Sequence, residues 1–262
     1  MVQVRRRSRL KIWSDVIFAL FIREIRSKFS DKFGVSWAVL EPLTFILIMS
    51  YGRSLIAGGK DTHSMPTFVF MMYGMLLLQL FLSTFSSSAS AVKRNKPLYA
   101  FRQVQPISAV LAALLMEVLT KVLMFGFILF FMFFAQIEIR IDDALSLVML
   151  TSLLAIFAFS FGLLFGLAEL YVPEMLKVRQ ILTRPLFFVS GVFFSLQDMP
   201  QQYWHYLNWN PILHAIELAR QAAYSSFGAQ GVSASFLIMS TLAACILSLS
   251  VYHAFWKGAI SR

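Results

Sequence analysis

The stretch PISAVLAALLMEVLTKVLMFGFILFFMFFAQ, residues 106–136, decides the class of this protein. Across its length it holds two charged residues, Glu117 and Lys121. About 20 apolar residues in a helix cross the hydrocarbon of a bilayer. This run is long enough to do so and too apolar to rest in water. Working outward, five more segments read the same way: 37–56, 67–92, 144–172, 181–196 and 232–255. The segment 181–196 is short. The composition agrees, with 58% hydrophobic residues, 27 Phe and a mean hydropathy of +0.71. The expectation is an all-α integral membrane protein with six transmembrane helices.

Net charge is +10, but on a membrane protein the placement of basic residues matters more than their sum. Arg5, Arg6, Arg7, Arg9, Lys11, Arg23, Arg26, Lys28 and Lys32 precede the first span. Lys93, Arg94, Lys96 and Arg102 fill the second loop, Lys177, Arg179 and Arg184 the fourth, and Lys257 and Arg262 the tail. Only Arg53, Lys60, Arg140 and Arg220 fall on the other side. That asymmetry predicts both termini in the cytoplasm. No cleavable signal peptide is expected, because Arg23 and Glu24 break the first apolar run.

Before the first span, Phe18, Phe21, Ile22, Ile25 and Phe29 recur at helical spacing, with Arg23, Glu24, Arg26, Ser27, Ser30 and Asp31 opposite. This pattern predicts an amphipathic helix in the cytoplasmic interface. A helix packed on another soluble domain would give the same pattern. The region 197–231 carries Pro200, Pro211 and the cluster Tyr203, Trp204, Tyr206 and Trp209. Aromatic rings with polar tips favour the headgroup zone. We read short helices re-entering the outer leaflet between the fifth and sixth spans; an aromatic surface loop is the alternative. The whole forms a single membrane domain. It divides into a tail and interfacial helix (1–36), five spans (37–196), the aromatic region (197–231) and the last span with its tail (232–262).

Chemistry-bearing motifs are few. Ala57-Gly58-Gly59-Lys60 resembles a phosphate loop, but Ser54 stands where the motif needs Gly and Asp61 where it needs Ser or Thr. His63, His205, His214 and His253 are scattered, so no metal site is expected. Cys245 lies in an apolar run and reads as a small buried hydrophobe. Asp142-Asp143, near Glu138 and Arg140, reads as a solvated turn. No nucleophile and base are in register, so no catalytic residues are expected. A membrane enzyme would need His or Asp clustered at a boundary, and none is seen. A scaffold without transport stays open.

Charges inside spans are costly and hint at function. Glu117 and Lys121 are four apart and could pair on one helix face. Glu41 beside Pro42 opens the first span, and Glu169 closes the fourth. With Arg220, Glu41, Glu117 and Lys121 are the candidate canal or intramembrane polar groups. The loop 93–105 is bounded by prolines and holds Leu98, Tyr99 and Phe101, apolar groups with nothing evident to cover them. It reads as a docking helix for a soluble partner, or as a structural turn.

Taken together, these residues resemble the ABC-2 type exporter membrane subunits, in particular the capsular polysaccharide export permeases. The matching stretches are Gly34 to Leu43, Phe70 through Gly74 to Ser90, Asn95-Lys96-Pro97-Leu98 to Pro106, and Ser190-Gly191-Val192 through Met199-Pro200 and Asn210-Pro211 to Arg220. The resemblance implies a homodimer in the bacterial inner membrane, driven by two copies of a separate ABC ATPase subunit that carries ATP and Mg; this chain would hold no cofactor. It implies coupling through Asn95, Lys96, Pro97, Leu98, Tyr99, Phe101 and Arg102. It implies an outer gate built from Pro200, Tyr203, Trp204, Tyr206, Trp209, Asn210 and Pro211. The implied cargo is a lipid-linked acidic polysaccharide, with O-antigen, teichoic acid or a small lipophilic compound as alternatives. A periplasmic polysaccharide co-polymerase and an outer-membrane export protein would complete the machine, with glycolipid substrate and membrane lipids as ligands.

Overall fold

The computed structural model describes residues 8–29, 32–56 and 63–261, the side chains of 32–39, 56 and 261 excepted. Arg5 to Arg7, Ser30, Asp31, the 57–60 stretch, Arg262 and the side chains of the 34–39 stretch lie outside the described residues.

Every regular element among the described residues is helical. The long helices are α1 (Arg9–Phe29), α2 (Lys32–Ile56), α3 (Thr67–Arg94), α4 (Pro106–Phe134), α5 (Ala144–Tyr171), α6 (Met175–Val189), α7 (Pro211–Ala223) and α8 (Ala234–Ser261). Four of them, α3, α4, α5 and α8, are long and apolar enough to cross a membrane. α2 has 25 residues with Pro42 inside it, and α6 has 15 with Pro185 inside it.

α3 is the axis of the bundle. Its apolar part is buried on all sides, whereas α4 and α8 expose most of theirs. α5 packs along α3, and α8 and α7 pack along α5. The close approach of α3 and α5 depends on small residues. A Cβ built on Gly162 would sit 2.3 Å from the Ser88 Cβ, and one on Gly166 would sit 2.6 Å from a Val92 methyl. Between membrane helices, where lipid is as apolar as leucine, such backbone proximity supplies the packing energy. Gly162→Ala should therefore force α3 and α5 apart and cost about 1–3 kcal/mol. Thermal unfolding in detergent would measure this, and an unchanged midpoint would show that the seam yields without strain.

Helix ends follow local rules. Pro106 and Pro211 each occupy a first helical turn, where the missing N–H is no loss. Asp143 caps α5 by accepting from Ser146 N at 3.0 Å.

The fifth segment differs from expectation. The helix starts at Met175, six residues before the expected 181, and stops at Val189 rather than 196. Two facts account for this. Arg179 is drawn into the protein by Glu169, its Nε donating to Oε1 at 2.7 Å, and this extends the helix through residues read as a loop. At the other end Gly191 takes φ +72°, a left-handed turn open to glycine, and the chain leaves the helix.

The loops sort to two ends of the bundle. The α3–α4 turn, the α5–α6 turn and the end of α8 share one end with α1. There Tyr171 Oη donates to Phe255 O at 2.9 Å. The turn before α3, the α4–α5 loop and residues 190–233 share the other. There Asp142 accepts from Ser225 N at 2.8 Å, and His63 Nε2 lies 2.7 Å from Asp198 Oδ1.

Candidate functional site

Two regions gather the candidate residues, one at each end. At the basic end, residues Lys96–Ala100 form a single 3-10 turn between α3 and α4. Asn95 caps α3: it is buried, its Nδ2 donates to Ala91 O at 2.8 Å, and its Oδ1 accepts from Arg23. Tyr99 is buried as well, with its hydroxyl donating to Val92 O at 2.9 Å. Leu98 is half-buried and packs into a cluster of Leu20, Ala91, Ala109, Ala112 and Ala113. This corrects the expectation that Leu98, Tyr99 and Phe101 all stand bare. α1 and the helix ends cover the first two. Phe101 alone of the three is open, at 65% exposed, beside exposed Pro97, Ala100 and Arg102; Lys96 is half-buried.

α1 is fastened to this turn more firmly than its amphipathic pattern suggests. Leu20 is its deepest residue, although it lies outside the expected stripe. Trp13 Nε1 donates to Ser108 Oγ at 2.9 Å, Arg94 pairs with Glu24 at 2.8 Å, and Lys28 pairs with Glu117 at 3.1 Å. Of the expected stripe, Phe18 is exposed, while Phe21, Ile22, Ile25 and Phe29 are half-buried. One face thus docks on the bundle and the adjacent face stays apolar and open. Arg23, Glu24 and Lys28 turn toward the protein because partners wait there: the buried Asn95 and Ser87-bound Glu117 accept from Arg23 and Lys28, and Arg94 at the α3 terminus donates to Glu24. Periodicity carries no signal for such partners.

Two further charges were placed differently by the sequence. Glu117 and Lys121 share a helix face but do not pair. Glu117 accepts from Lys28 and from Ser87 Oγ at 2.8 Å, while Lys121 Nζ donates to Gln79 Oε1 at 3.3 Å. Glu41 is exposed on α2. The Glu169–Arg179 pair, about 5% exposed on both sides and braced by Ser90 Oγ, was not foreseen as a pair.

At the aromatic end, residues 190–233 run through three short 3-10 turns and α7. Asn210 caps α7 by accepting from Ile212 N at 3.0 Å, and its Nδ2 donates to Ser190 Oγ at 3.1 Å, so the start of α7 is tied to the end of α6. Trp204 is half-buried; its Nε1 donates to Met199 O at 3.0 Å, and its ring lies on Gly231, where a Cβ would sit 2.5 Å away. Tyr203, Tyr206 and Trp209 are exposed, at 49%, 63% and 62%. Pro200 precedes the turn at 201–206.

Beneath this ledge lies the densest polar constellation of the described residues. Arg220 is fully buried. Its Nε donates to Phe70 O at 3.2 Å, Nη1 to Gly191 O at 2.8 Å and Glu217 Oε1 at 2.9 Å, and Nη2 to Val192 O at 3.0 Å and Phe70 O at 3.1 Å. A guanidinium has five N–H groups, and every one has an acceptor here. Its Cζ also lies 3.5 Å from the centroid of the Phe70 ring. Glu217 is equally buried, with its second oxygen accepting from Ser195 Oγ at 2.7 Å. Gly74 makes room for the guanidinium, since a Cβ there would sit 2.6 Å from Nη2. Arg220, a candidate canal group in the sequence, reaches no surface of the protomer; it clamps the irregular 190–195 backbone to α3 and α7. Glu217 was missed, although its i, i+3 spacing to Arg220 in an apolar stretch was a legible sign.

A latch closes this end. Asp198 faces His63 at 2.7 Å and Arg53 at 3.3 Å. Burial works to raise its pKa, but the Ser195 N–H and the two basic partners outweigh burial and hold it below the usual carboxylate range. A lowered folded-state pKa means the latch contributes at neutral pH and is lost as pH falls through that lowered value.

Comparison with known proteins places these features in context. Residues 15–224 match the family model described as ABC-2 type transporter. The chain is 35% identical over 251 residues to the polysialic acid transport protein KpsM of Escherichia coli, covering 94% of this chain and 96% of that one. It is 27% identical over 258 residues to the capsule polysaccharide export inner-membrane protein BexB of Haemophilus influenzae, covering 95% and 94%. Against the capsule polysaccharide export inner-membrane protein CtrC of Neisseria meningitidis serogroup B it is 23% identical over 256 residues, covering 95% and 94%.

Proposed function

The chain belongs to the ABC-2 type transporter family, and from that premise we propose that it is the membrane-spanning permease subunit of an ATP-driven exporter carrying lipid-linked acidic capsular polysaccharide outward across the bacterial inner membrane. The observation that carries this reading is the similarity, over 94–95% of the chain, to a polysialic acid transport protein and to capsule polysaccharide export inner-membrane proteins. Two geometric features support it. An exposed Phe101 on a turn rigidly tied to α1, α3 and α4 suits a lever gripped by a soluble motor. A polar-clamped irregular segment under an aromatic ledge, buried against protein, suits a re-entrant gate, because free backbone groups at membrane depth need protein partners.

In this reading α2 and α6 join α3, α4, α5 and α8 as six spans, with both termini cytoplasmic, which the basic asymmetry supports. Two copies form the canal, and two ATPase subunits holding ATP and Mg dock below at the 95–102 turn. A periplasmic co-polymerase and an outer-membrane export protein receive the polymer. α1 lies in the inner interface with Phe18, Ile22, Ile25 and Phe29 toward lipid.

Deletion of the gene with in-cell localisation of the polymer tests the reading. Polymer trapped in the cytoplasm is the expected result, and a cell that makes none would point to synthesis instead. In parallel, single cysteines at Asp142 and Trp204 in a Cys245→Ala background should react with an impermeant thiol reagent in the periplasm, and one at Lys96 should not. Labelling of Lys96 alone would invert the topology.

A further inference from the structure

The α4–α5 loop carries Ile137-Glu138-Ile139-Arg140-Ile141, in which β-branched side chains alternate with a carboxylate and a guanidinium. A period of two is the pattern of a strand. The segment runs without helix, turn or bend across the end of the bundle, and it is pinned on both sides. Ile137 N donates to Met132 O at 3.0 Å and closes α4, while Asp142 N and Asp143 N donate to Ala223 O and Ala222 O at 3.1 and 2.8 Å and close α7. Between the pins, Glu138 O accepts from Tyr224 Oη at 3.0 Å and so faces the bundle. Backbone groups of successive residues in an extended chain point to opposite sides. The N–H and C=O of Ile139 and Ile141 therefore point away from the bundle, and they have no hydrogen-bond partner among the described residues. Residues 138–141 are all exposed, Ile139 at 45% and Ile141 at 37%. An open edge of this kind is a template for another strand.

The charges select that strand. Reversed about Ile139, the segment sets Glu138 opposite Arg140 and Arg140 opposite Glu138, while isoleucine meets isoleucine. It is complementary to its own antiparallel copy. In that pairing Ile139 exchanges both backbone bonds with its counterpart, and Glu138 and Arg140 fall in the adjacent, closer pair, about 4.5 Å between Cα atoms. Both ionic groups have capacity for it. The Glu138 carboxylate accepts no hydrogen bond among the described residues, and Arg140 places Nε on Asp142 at 2.6 Å, leaving both Nη groups for a second carboxylate. Two copies that face the same way in one membrane are related by an axis along the membrane normal, and that axis makes strands lying across the bundle end antiparallel. Phe133, Phe134 and Leu145, at 71%, 68% and 81% exposed, flank the segment on α4 and α5 and add apolar area to the contact.

From this self-complementarity we infer that residues 137–141 are a pairing edge through which a second copy of this chain docks, strand to strand and antiparallel about Ile139. The inference needs only that this loop stands in water at one end of the bundle, not that the chain exports polysaccharide.

The test is disulfide trapping of the whole chain in native membranes, with Ile139→Cys in a Cys245→Ala background. Residues paired at this position have Cα atoms about 5.5 Å apart, within disulfide reach, so oxidation by copper phenanthroline should yield a covalent dimer. Moving the cysteine by Ile141→Cys should lose the dimer, because the counterpart of Ile141 is Ile137. In the Ile139→Cys chain, adding Glu138→Arg or Arg140→Glu alone sets like charges opposite each other and should slow trapping about tenfold. Co-expression of these two variants under different tags should restore the parent rate in the mixed dimer, and both changes in one chain should restore it in that chain's own dimer. The loop keeps its place in them, since Asp142 is also held by Ser225 N at 2.8 Å and Ser225 Oγ at 2.6 Å. Absence of a dimer from Ile139→Cys overturns the inference, as does equal trapping through Ile141→Cys, which would mark random collision. Charge variants that trap at the parent rate, or that stay slow when mixed, overturn it as well. So does an adduct with a different protein in place of the dimer, which would make the occupant a foreign strand.

Discussion

Arg220→Met will cost about 3–5 kcal/mol, the range for removing one partner of a buried ion pair. The variant leaves Glu217 fully buried without its cation, hydrogen-bonded to Ser195. It also strips donors from the carbonyls of Phe70, Gly191 and Val192, the latter two in a segment outside any helix. The loss is a large share of the 5–15 kcal/mol that holds an ordinary domain together. The expected result is a collapsed yield and loss of the monodisperse peak in detergent. Arg220→Lys should rescue little, since one ammonium has three N–H groups where five are used, with no planar fork. Arg220→Met with Glu217→Met should recover part of the yield, because the unpaired carboxylate is gone while the carbonyls stay unserved. A single Arg220→Met variant that folds and unfolds like the parent would mean that the clamp is dispensable. Equal loss in the single and double variants would assign the whole cost to the carbonyls.

Phe101→Asp is the second large effect, and it is functional rather than structural. Phe101 is 65% exposed and touches no core cluster. The variant should insert, unfold at the parent's temperature and yet lose its ATPase on purification. Burying a phenylalanine stabilises a contact by about 1.5–3 kcal/mol, so removing it weakens binding roughly tenfold to a hundredfold, and a carboxylate forced into an apolar cleft adds to that. Leu98→Asp should behave differently. Leu98 packs with Leu20 and the alanines of α3 and α4, so a charge there detaches α1 and lowers yield before coupling is tested. Measuring export and ATPase co-purification beside the unfolding midpoint separates the two. Phe101→Asp with its ATPase retained and normal export would move the docking site elsewhere, and the open face of α1 would be examined next.

The contrast between Leu98 and Phe101 shows where sequence reasoning stops. Span-forming helices were legible from composition, because about 20 apolar residues in a row have few alternatives. Thus α3, α4, α5 and α8 lie within two or three residues of their expected bounds at most of their ends. The α8 C-terminus runs on to Ser261 rather than 255. The proline-bounded turn and the aromatic region were legible because Pro, Gly and Trp act through local geometry and polarity. What failed was partner choice. Glu117 and Lys121 satisfy the i, i+4 rule, yet Lys28, 89 residues away in sequence, takes Glu117. α6 begins early because Glu169 reaches Arg179 across a turn. Arg220 turned inward because Phe70, from a helix 150 positions earlier, and the broken backbone at 191–192 offered carbonyls to it. Hydrophobic periodicity is set by neighbours along the chain and is written in it. Pairing between charges depends on which helices meet and at what height, and a low-dielectric interior magnifies that choice. The sequence therefore determined that this chain lies in a membrane as a bundle of helices, with its basic residues gathered toward one side. Only the tertiary structure decided which of its charges are spent on holding the bundle together and which apolar groups, Phe101 among them, are left open.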